Sequence, residues 1–189
     1  MGDSSVTILK MAFRTLPVVF VLVSLCAAGA DGVPGVVNFH QVDDHIYRGA
    51  QPTAEGFAGL SKLGVKTVID LRRGSEHRED EQEIVEKDGM RYIHVPLAGY
   101  AAPSDEDVKK LLALLDDSTQ WPVFVHCKRG ADRTGTIIAC YRIVHDHWAN
   151  EKALTEAKLH GMSWTEVWMQ RYVMQFKPPK GPEQAAVTP

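Results

Sequence analysis

Residues 126–135 read His-Cys-Lys-Arg-Gly-Ala-Asp-Arg-Thr-Gly, so Cys127 and Arg133 close the two ends of a seven-residue segment, Cys127-x5-Arg133. Cysteine attacks as the thiolate, and a thiol near a helix N-terminus and a fixed guanidinium ionises readily, with pKa values of roughly 3.5–7.5 against about 8.5 when free. Arginine offers a planar fork that holds two phosphoryl oxygens at once and follows their charge during transfer, which the point charge of lysine does less well. Gly130 and Gly135 allow the positive φ and close backbone approach that a cradle of amide N–H groups around an oxyanion requires. Thr134 carries a hydroxyl placed to donate to the Cys127 sulfur. These types at this spacing fit nucleophilic attack on a phosphate ester.

Such a loop needs a strand that delivers Cys127 and a helix that starts near Arg133. Trp121–Val125 is a short apolar, β-branched run bounded by Pro122, as a buried strand is, and Thr134–Trp148 places Ile137, Ile138, Tyr141, Val144 and Trp148 at helical spacing. Upstream, Val36–Asn38 and His45–Arg48 read as short edge strands, with strands again at Val65–Leu71 and Met90–Leu97. Helices are expected at Thr53–Leu63, Glu79–Asp88 and Ser104–Leu115, then at Lys152–His160 and Thr165–Phe176. Alternating strands and helices argue for a single-domain α/β three-layer sandwich with a mainly parallel central sheet, whose ligands bind beyond the carboxyl ends of the strands. The phosphate-binding loop then joins a central strand to a helix.

The segment resembles the His-Cys-x5-Arg-Ser/Thr signature of the cysteine-dependent protein tyrosine phosphatase superfamily, and within it the small atypical dual-specificity phosphatases of plants, fungi and bacteria. Tyr47-Arg48-Gly49-Ala50-Gln51-Pro52-Thr53 is similar to the Tyr-Arg-Ser-Gly-Gln-Pro turn near the start of those domains, and Ala153–Ala157 to the Glu-containing helix after their loop. The resemblance covers about residues 37–176. It implies a metal- and cofactor-independent phosphatase with Cys127 as nucleophile and Arg133 as phosphate holder. Lys128, Arg129, Gly130, Ala131, Asp132, Thr134 and Gly135 would line the substrate, and His126 would shape the loop. Rhodanese-type sulfurtransferases also seat a cysteine in an anion-binding loop; theirs is normally one residue shorter.

The chain departs from that pattern at the general acid. The family carries an aspartate about 30 residues before its cysteine, and Pro96–Pro103 holds no carboxylate here. Asp105 is one candidate; Glu106 and Asp107 read instead as first-turn acids behind an N-cap at Ser104. Asp132, inside the loop, is the rival, and Asp70 ends an earlier strand on the same rim, where a structural role beside Arg72 is the plainer reading.

Lys128 and Arg129 add local positive charge, which leaves phosphoinositides or inositol phosphates open as substrates beside phosphotyrosine, phosphoserine and phosphothreonine proteins; a phosphate-recognition module with little turnover is the third possibility. Arg72 and Arg73 could extend the rim. The overall charge of −3 argues against nucleic acid. Of the three cysteines, Cys140 reads as a small buried hydrophobe on the helix after the loop. His145 and His147 make a poor metal pair, and Trp148, Trp164 and Trp168 read as core and interhelical packing. Residues 1–30 pattern as a signal peptide, with Lys10 and Arg14, an apolar run Leu16–Ala28 and an Ala-Gly-Ala cleavage site. That implies an exported protein with no membrane span once cleaved, a retained anchor being the alternative; residues 31–36 read as a linker and 177–189, with four prolines, as a disordered tail.

Overall fold

All five residues of the strand Val123–Cys127 are buried, so it needs cover on both faces. Alternation sends Val123, Val125 and Cys127 one way and Phe124 and His126 the other. The computed structural model, which describes residues 32–76 and 80–179, provides both covers. In chain order the elements are β1 (His40–Gln41), β2 (Ile46–Ala50), α1 (Ala54–Lys62), β3 (Thr67–Asp70), α2 (Glu81–Lys87), β4 (Arg91–His94), α3 (Asp105–Asp116), β5 (Val123–Cys127), α4 (Asp132–His145), α5 (Asn150–Leu159) and α6 (Val167–Gln175).

The sheet runs β1-β2-β5-β3-β4, with every pair parallel except the antiparallel β1–β2 edge. On one face Ile46, Ile69, Val123 and Val125 meet Val108, Leu111 and Leu115 of α3 and Ile137, Ile138 and Tyr141 of α4. On the other, Val68 and Phe124 meet Phe57 and Leu60 of α1 and Val85 of α2. Each such fully buried side chain contributes about 1.5–3 kcal/mol. A further cluster joins α4 to α5 and α6 through Ala139, Ile143, Ala153, Leu154, Ala157 and Val173. This is the three-layer α/β arrangement that the sequence implies.

Register sets where chemistry can occur. Ala50 stands opposite Cys127 and Asp70 opposite His126, so the carboxyl ends of β2, β3 and β5 finish at one level and the loop leaves β5 from there. Capping follows the expected logic: Thr53 Oγ1 accepts from Gly56 N at 3.2 Å, and Ser104 Oγ accepts from Asp107 N at 3.1 Å.

Three expectations need correction. Val36–Asn38 is a turn, because Gly35 and Asn38 both take positive φ (80° and 54°), which no strand allows. The segment expected as an edge at His45–Arg48 instead forms β2, paired on both sides. Trp148 packs partly buried as expected, but Trp164 and Trp168 are 85% and 58% exposed, since α6 turns Met169 and Val173 inward. The proposed signal segment lies outside the described residues, as does the tail beyond residue 179. Among the described residues no helix is long and apolar enough to cross a membrane.

Acid should weaken this fold at His160, which closes α5 and whose carbonyl accepts from Asn38 Nδ2 at 3.0 Å. Burial first, then the Arg48 charge, hold its imidazole down to about 4. An unfolded chain takes the proton near pH 6.5, so the stability is whole above that pH and is lost as pH falls towards 4. With partial exposure discounted, the loss is about 2 kcal/mol. Urea unfolding at pH 7 and pH 4.5 should show His160→Gln losing less than wild type by about that amount; equal losses would remove His160 from the account.

Candidate active site

The loop between β5 and α4 is shaped by what holds its carbonyls. Gln51 N donates to Lys128 O at 3.4 Å, Asn38 Nδ2 to Arg129 O and Gly130 O at 3.4 and 3.0 Å, and Arg48 Nη2 to Gly130 O at 2.7 Å. In a trans peptide the next N–H points the opposite way, so drawing these carbonyls back onto the scaffold turns the amides of Arg129, Gly130 and Ala131 outward together. None of those amides donates to another backbone group among the described residues. Orphan amides of the first turn of α4 continue the row. The result is a nest for an oxyanion at a helix N-terminus.

Gly130 makes the close approach possible. It sits at φ +66°, and a Cβ there would lie 2.2 Å from the Gly49 carbonyl carbon. Gly135 behaves differently from expectation: it lies inside α4 without positive φ, and its use is helix packing, with Ala157 Cβ and Met162 Cε each 3.3 Å from where a Cβ would be.

Cys127, Lys128, Arg129, Asp132 and Arg133 line a cleft of about 220 Å³. The Pro96–Pro103 stretch passes beside it and contributes Gly99 and Tyr100, but no acid. Among the described residues the remaining walls are Glu76, from the turn after β3, and Glu166, at the start of α6. Neither stands out in the sequence as a site residue. The signal for Glu76 was its place at the carboxyl end of a parallel strand; Glu166 offered none beyond being an acid before a helix.

Arg133 is gripped by Glu76, with Nη1 2.6 Å from Oε2 and Nη2 3.4 Å from Oε1. Burial pushes the Glu76 carboxyl up, but the hydrogen bond and charge of Arg133 hold it below the usual range on balance. Asp132 is occupied at both oxygens: Arg129 Nη2 donates to Oδ2 at 2.5 Å and Ser163 N to Oδ1 at 2.8 Å. Asp105 is not brought to the cleft. Tyr172 OH of α6 donates to its Oδ1 at 2.8 Å, and it lines a separate depression with Val108, Leu112 and Phe176.

Behind the loop lies a buried ionic cluster. Arg72 Nη2 is 2.7 Å from Asp70 Oδ2 and 2.6 Å from Glu81 Oε2, and Tyr92 OH donates to Asp70 Oδ2 at 2.7 Å. Arg72 is therefore structural and adds nothing to the rim, while Arg73 stays half exposed beside Tyr100. Asp70, Glu81 and His126 stand at ligand-like spacing, but the guanidinium of Arg72 already supplies their cation. His126 Nε2 lies 3.1 Å from Glu81 Oε1, within ion-pair range but off the line of a hydrogen bond. The Thr134 hydroxyl is buried and makes no hydrogen bond among the described residues, so the expected bond to the Cys127 sulfur is not formed. Cys140 is in the core, its thiol pushed up by burial and then by Asp105.

Residues 35–175 match the protein family described as a DSP-PTPase phosphatase fused to NAD+ kinase. The dual specificity protein phosphatase TpbA of Pseudomonas aeruginosa strain UCBPP-PA14 is 31% identical over 134 residues, covering 71% of this chain and 59% of that protein. The inositol diphosphatase DSP5 of Arabidopsis thaliana is also 31% identical over 134 residues, covering 68% of this chain and 65% of the relative. The chain thus spans under two thirds of the length of these relatives. Among solved structures, P. aeruginosa TpbA superposes with a TM-score of 0.65 at 28% identity, over 75% of this chain and 86% of that one. The core catalytic domain of the PP-IP phosphatase SIW14 from S. cerevisiae shares the fold, with a TM-score of 0.69 at 23% identity, over 77% and 89% of the two chains.

Proposed function

The chain belongs to the DSP-PTPase family of cysteine-dependent dual-specificity phosphatases, and from that premise we propose that it hydrolyses phosphate monoesters on proteins, phosphotyrosine foremost, through a phosphocysteine at Cys127. In the proposed reaction the phosphoryl oxygens rest on the amides of the Cys127–Arg133 loop and on the Arg133 fork, with Cys127 at its base. The amide donors are fixed before substrate arrives, and fixed donors at developing charge lower a barrier most effectively.

The observation that carries the substrate class is the charge balance of the cleft. Lys128, Arg129 and Arg133 face Glu76, Asp132 and Glu166, and Arg129 and Arg133 are already paired. A cleft whose cations are matched by acidic side chains among the described residues suits one dianionic phosphoryl group on an aryl or alkyl carrier. Several clustered phosphates would bring carboxylates and anions together without cations to separate them. Tyr100, exposed on the rim, offers an aromatic face to a phenyl ring. An inositol phosphate remains the second reading, favoured by the name of the Arabidopsis relative.

A panel of phosphotyrosine, phosphoserine and phosphothreonine peptides, phosphoinositides and soluble inositol phosphates tests the choice by kcat/KM, with reductant and chelator present. Highest values on phosphotyrosine peptides are expected; a preference for inositol phosphates would overturn the substrate class and keep the mechanism. Phospho-ligand binding without turnover would favour a recognition module. We propose export on the pattern of residues 1–30, which would place the substrate outside the cytoplasm.

Binding must also exchange Glu76 for phosphate at Arg133. Glu76→Ala should therefore tighten inhibition by inorganic phosphate, the Ki falling several-fold, as expected for removal of a partly exposed competitor of about 1 kcal/mol. A weaker phosphate inhibition in the variant would show that Glu76 chiefly orients the arginine.

A further inference from the structure

Hydrolysis at Cys127 leaves one demand unmet. The leaving oxygen departs as an alkoxide or phenolate unless a proton reaches it, and the stretch beside the cleft at Pro96–Pro103 carries no acid. Among the described residues three carboxyl groups line the cleft, and the structure treats them differently. Glu76 is spent on Arg133 and is held low by it. Asp132 is spent at both oxygens, on Arg129 and on the Ser163 amide. Neither can release a proton without breaking charge-assisted bonds that favour its ionised form.

Glu166 is the third. Its residue is 7% exposed, and its side chain does not cap α6. The segment that bears it is fixed to the loop: Ser163 N donates to Asp132 Oδ1 at 2.8 Å, Glu166 N to Ser163 O at 3.2 Å, and Gln170 Nε2 to Ser163 O at 2.8 Å. These bonds tie the Glu166 segment to the loop at Asp132, next to Arg133. Resting on the phosphocysteine reading, the geometry points to Glu166 as the catalytic acid that protonates the leaving oxygen and then, as carboxylate, takes a proton from the attacking water.

The steps balance. The Cys127 thiolate forms the S–P bond as the P–O bond breaks, and its electron pair goes to the leaving oxygen, which takes the Glu166 proton. Water oxygen then bonds to phosphorus while the P–S bond breaks and returns its electrons to sulfur; the water proton goes to Glu166. The enzyme ends as it began. The groups facing Glu166 suit this cycle. Burial first and the Asp132 charge second raise its carboxyl above the ordinary range, against the opposing pull of Arg129 and Arg133, so a larger share is protonated near neutral pH than for a free glutamate.

The test is Glu166→Gln on the full chain, with kcat/KM measured across aryl phosphates whose leaving phenols range from phenol to 2,4-dinitrophenol, and on a phosphotyrosine peptide. Because kcat/KM reports the first irreversible step, the variant should lose about 100- to 1,000-fold on phenyl phosphate and the peptide, and less than about 5-fold on dinitrophenyl phosphate. The variant should also show a stoichiometric burst of dinitrophenol and accumulate phosphocysteine, because its water lacks a base; that burst counts folded sites. Uniform losses across the series, or none, would overturn the role of Glu166. A slope that steepens in Asp132→Asn and not in Glu166→Gln would transfer it to Asp132. If wild type releases phosphate from no ester, the phosphocysteine reading falls and takes this one with it; if wild type turns over and Glu166→Gln matches it, only this one falls.

Discussion

Cys127→Ser is expected to reduce phosphate release to background on every ester, a loss on the order of 10⁴-fold or more, while phosphate binding persists. The substitution keeps the size of the side chain and leaves the carbonyl anchors of the loop untouched, so the nest of amides and the Arg133 fork survive. Among the described residues what it removes is the only cysteine in the cleft, since Cys140 is sealed in the core. A serine hydroxyl ionises far less readily than a thiol, and the carboxylate of the loop, Asp132, is held by Arg129 and the Ser163 amide. Retained binding with lost turnover would be read by competition with a phosphotyrosine peptide at constant chelator. Residual rates within about 10-fold of wild type would exclude a cysteine nucleophile and point to direct attack by water.

Arg133→Lys should cost about 10³-fold in kcat/KM, most of it in kcat. Lysine preserves the charge but cannot present two parallel donors to two phosphoryl oxygens, so it stabilises the loose transition state less than the bound ester. The substitution also undoes the two-point grip on Glu76, leaving that carboxylate with one donor beside the incoming phosphate. Adding Glu76→Gln to Arg133→Lys should therefore recover part of the binding loss and little of kcat. A single variant that changed KM alone would mean that Arg133 binds the ester without following its charge.

What could be read from the sequence was what is local. Cys127, Arg133 and Gly130 are bound to one short loop between a strand and a helix, and strand, turn and helix signals all act over a few residues. The alternation of β3, α2, β4, α3, β5 and α4 was equally legible, because each helix buries one stripe on a sheet face. The carboxylates were not legible. Glu76 meets Arg133 across 57 positions and Asp132 meets Ser163 across 31, and no pattern of spacing encodes such meetings. Asp105 had the better local credentials as an acid, but α6 delivers Tyr172 to it from 67 residues away. The role of Arg48 was hidden for the same reason: the turn at Tyr47–Thr53 was recognisable as a motif, whereas its hold on the Gly130 carbonyl appears only when β2 lies against β5. Trp164 and Trp168 failed the opposite way, because aromatic residues near helical spacing suggest burial, and only the orientation of α6 decides which face is wet.

The most direct test of the central claim is to quench wild-type protein with acid during turnover of an aryl phosphate and to map the phosphoryl group by mass spectrometry. A phosphoryl adduct on the peptide that contains Cys127, absent in Cys127→Ser and undiminished by chelator, is the predicted result. Turnover with no adduct on that peptide under conditions that show a product burst, or an adduct on any other residue, would contradict the account.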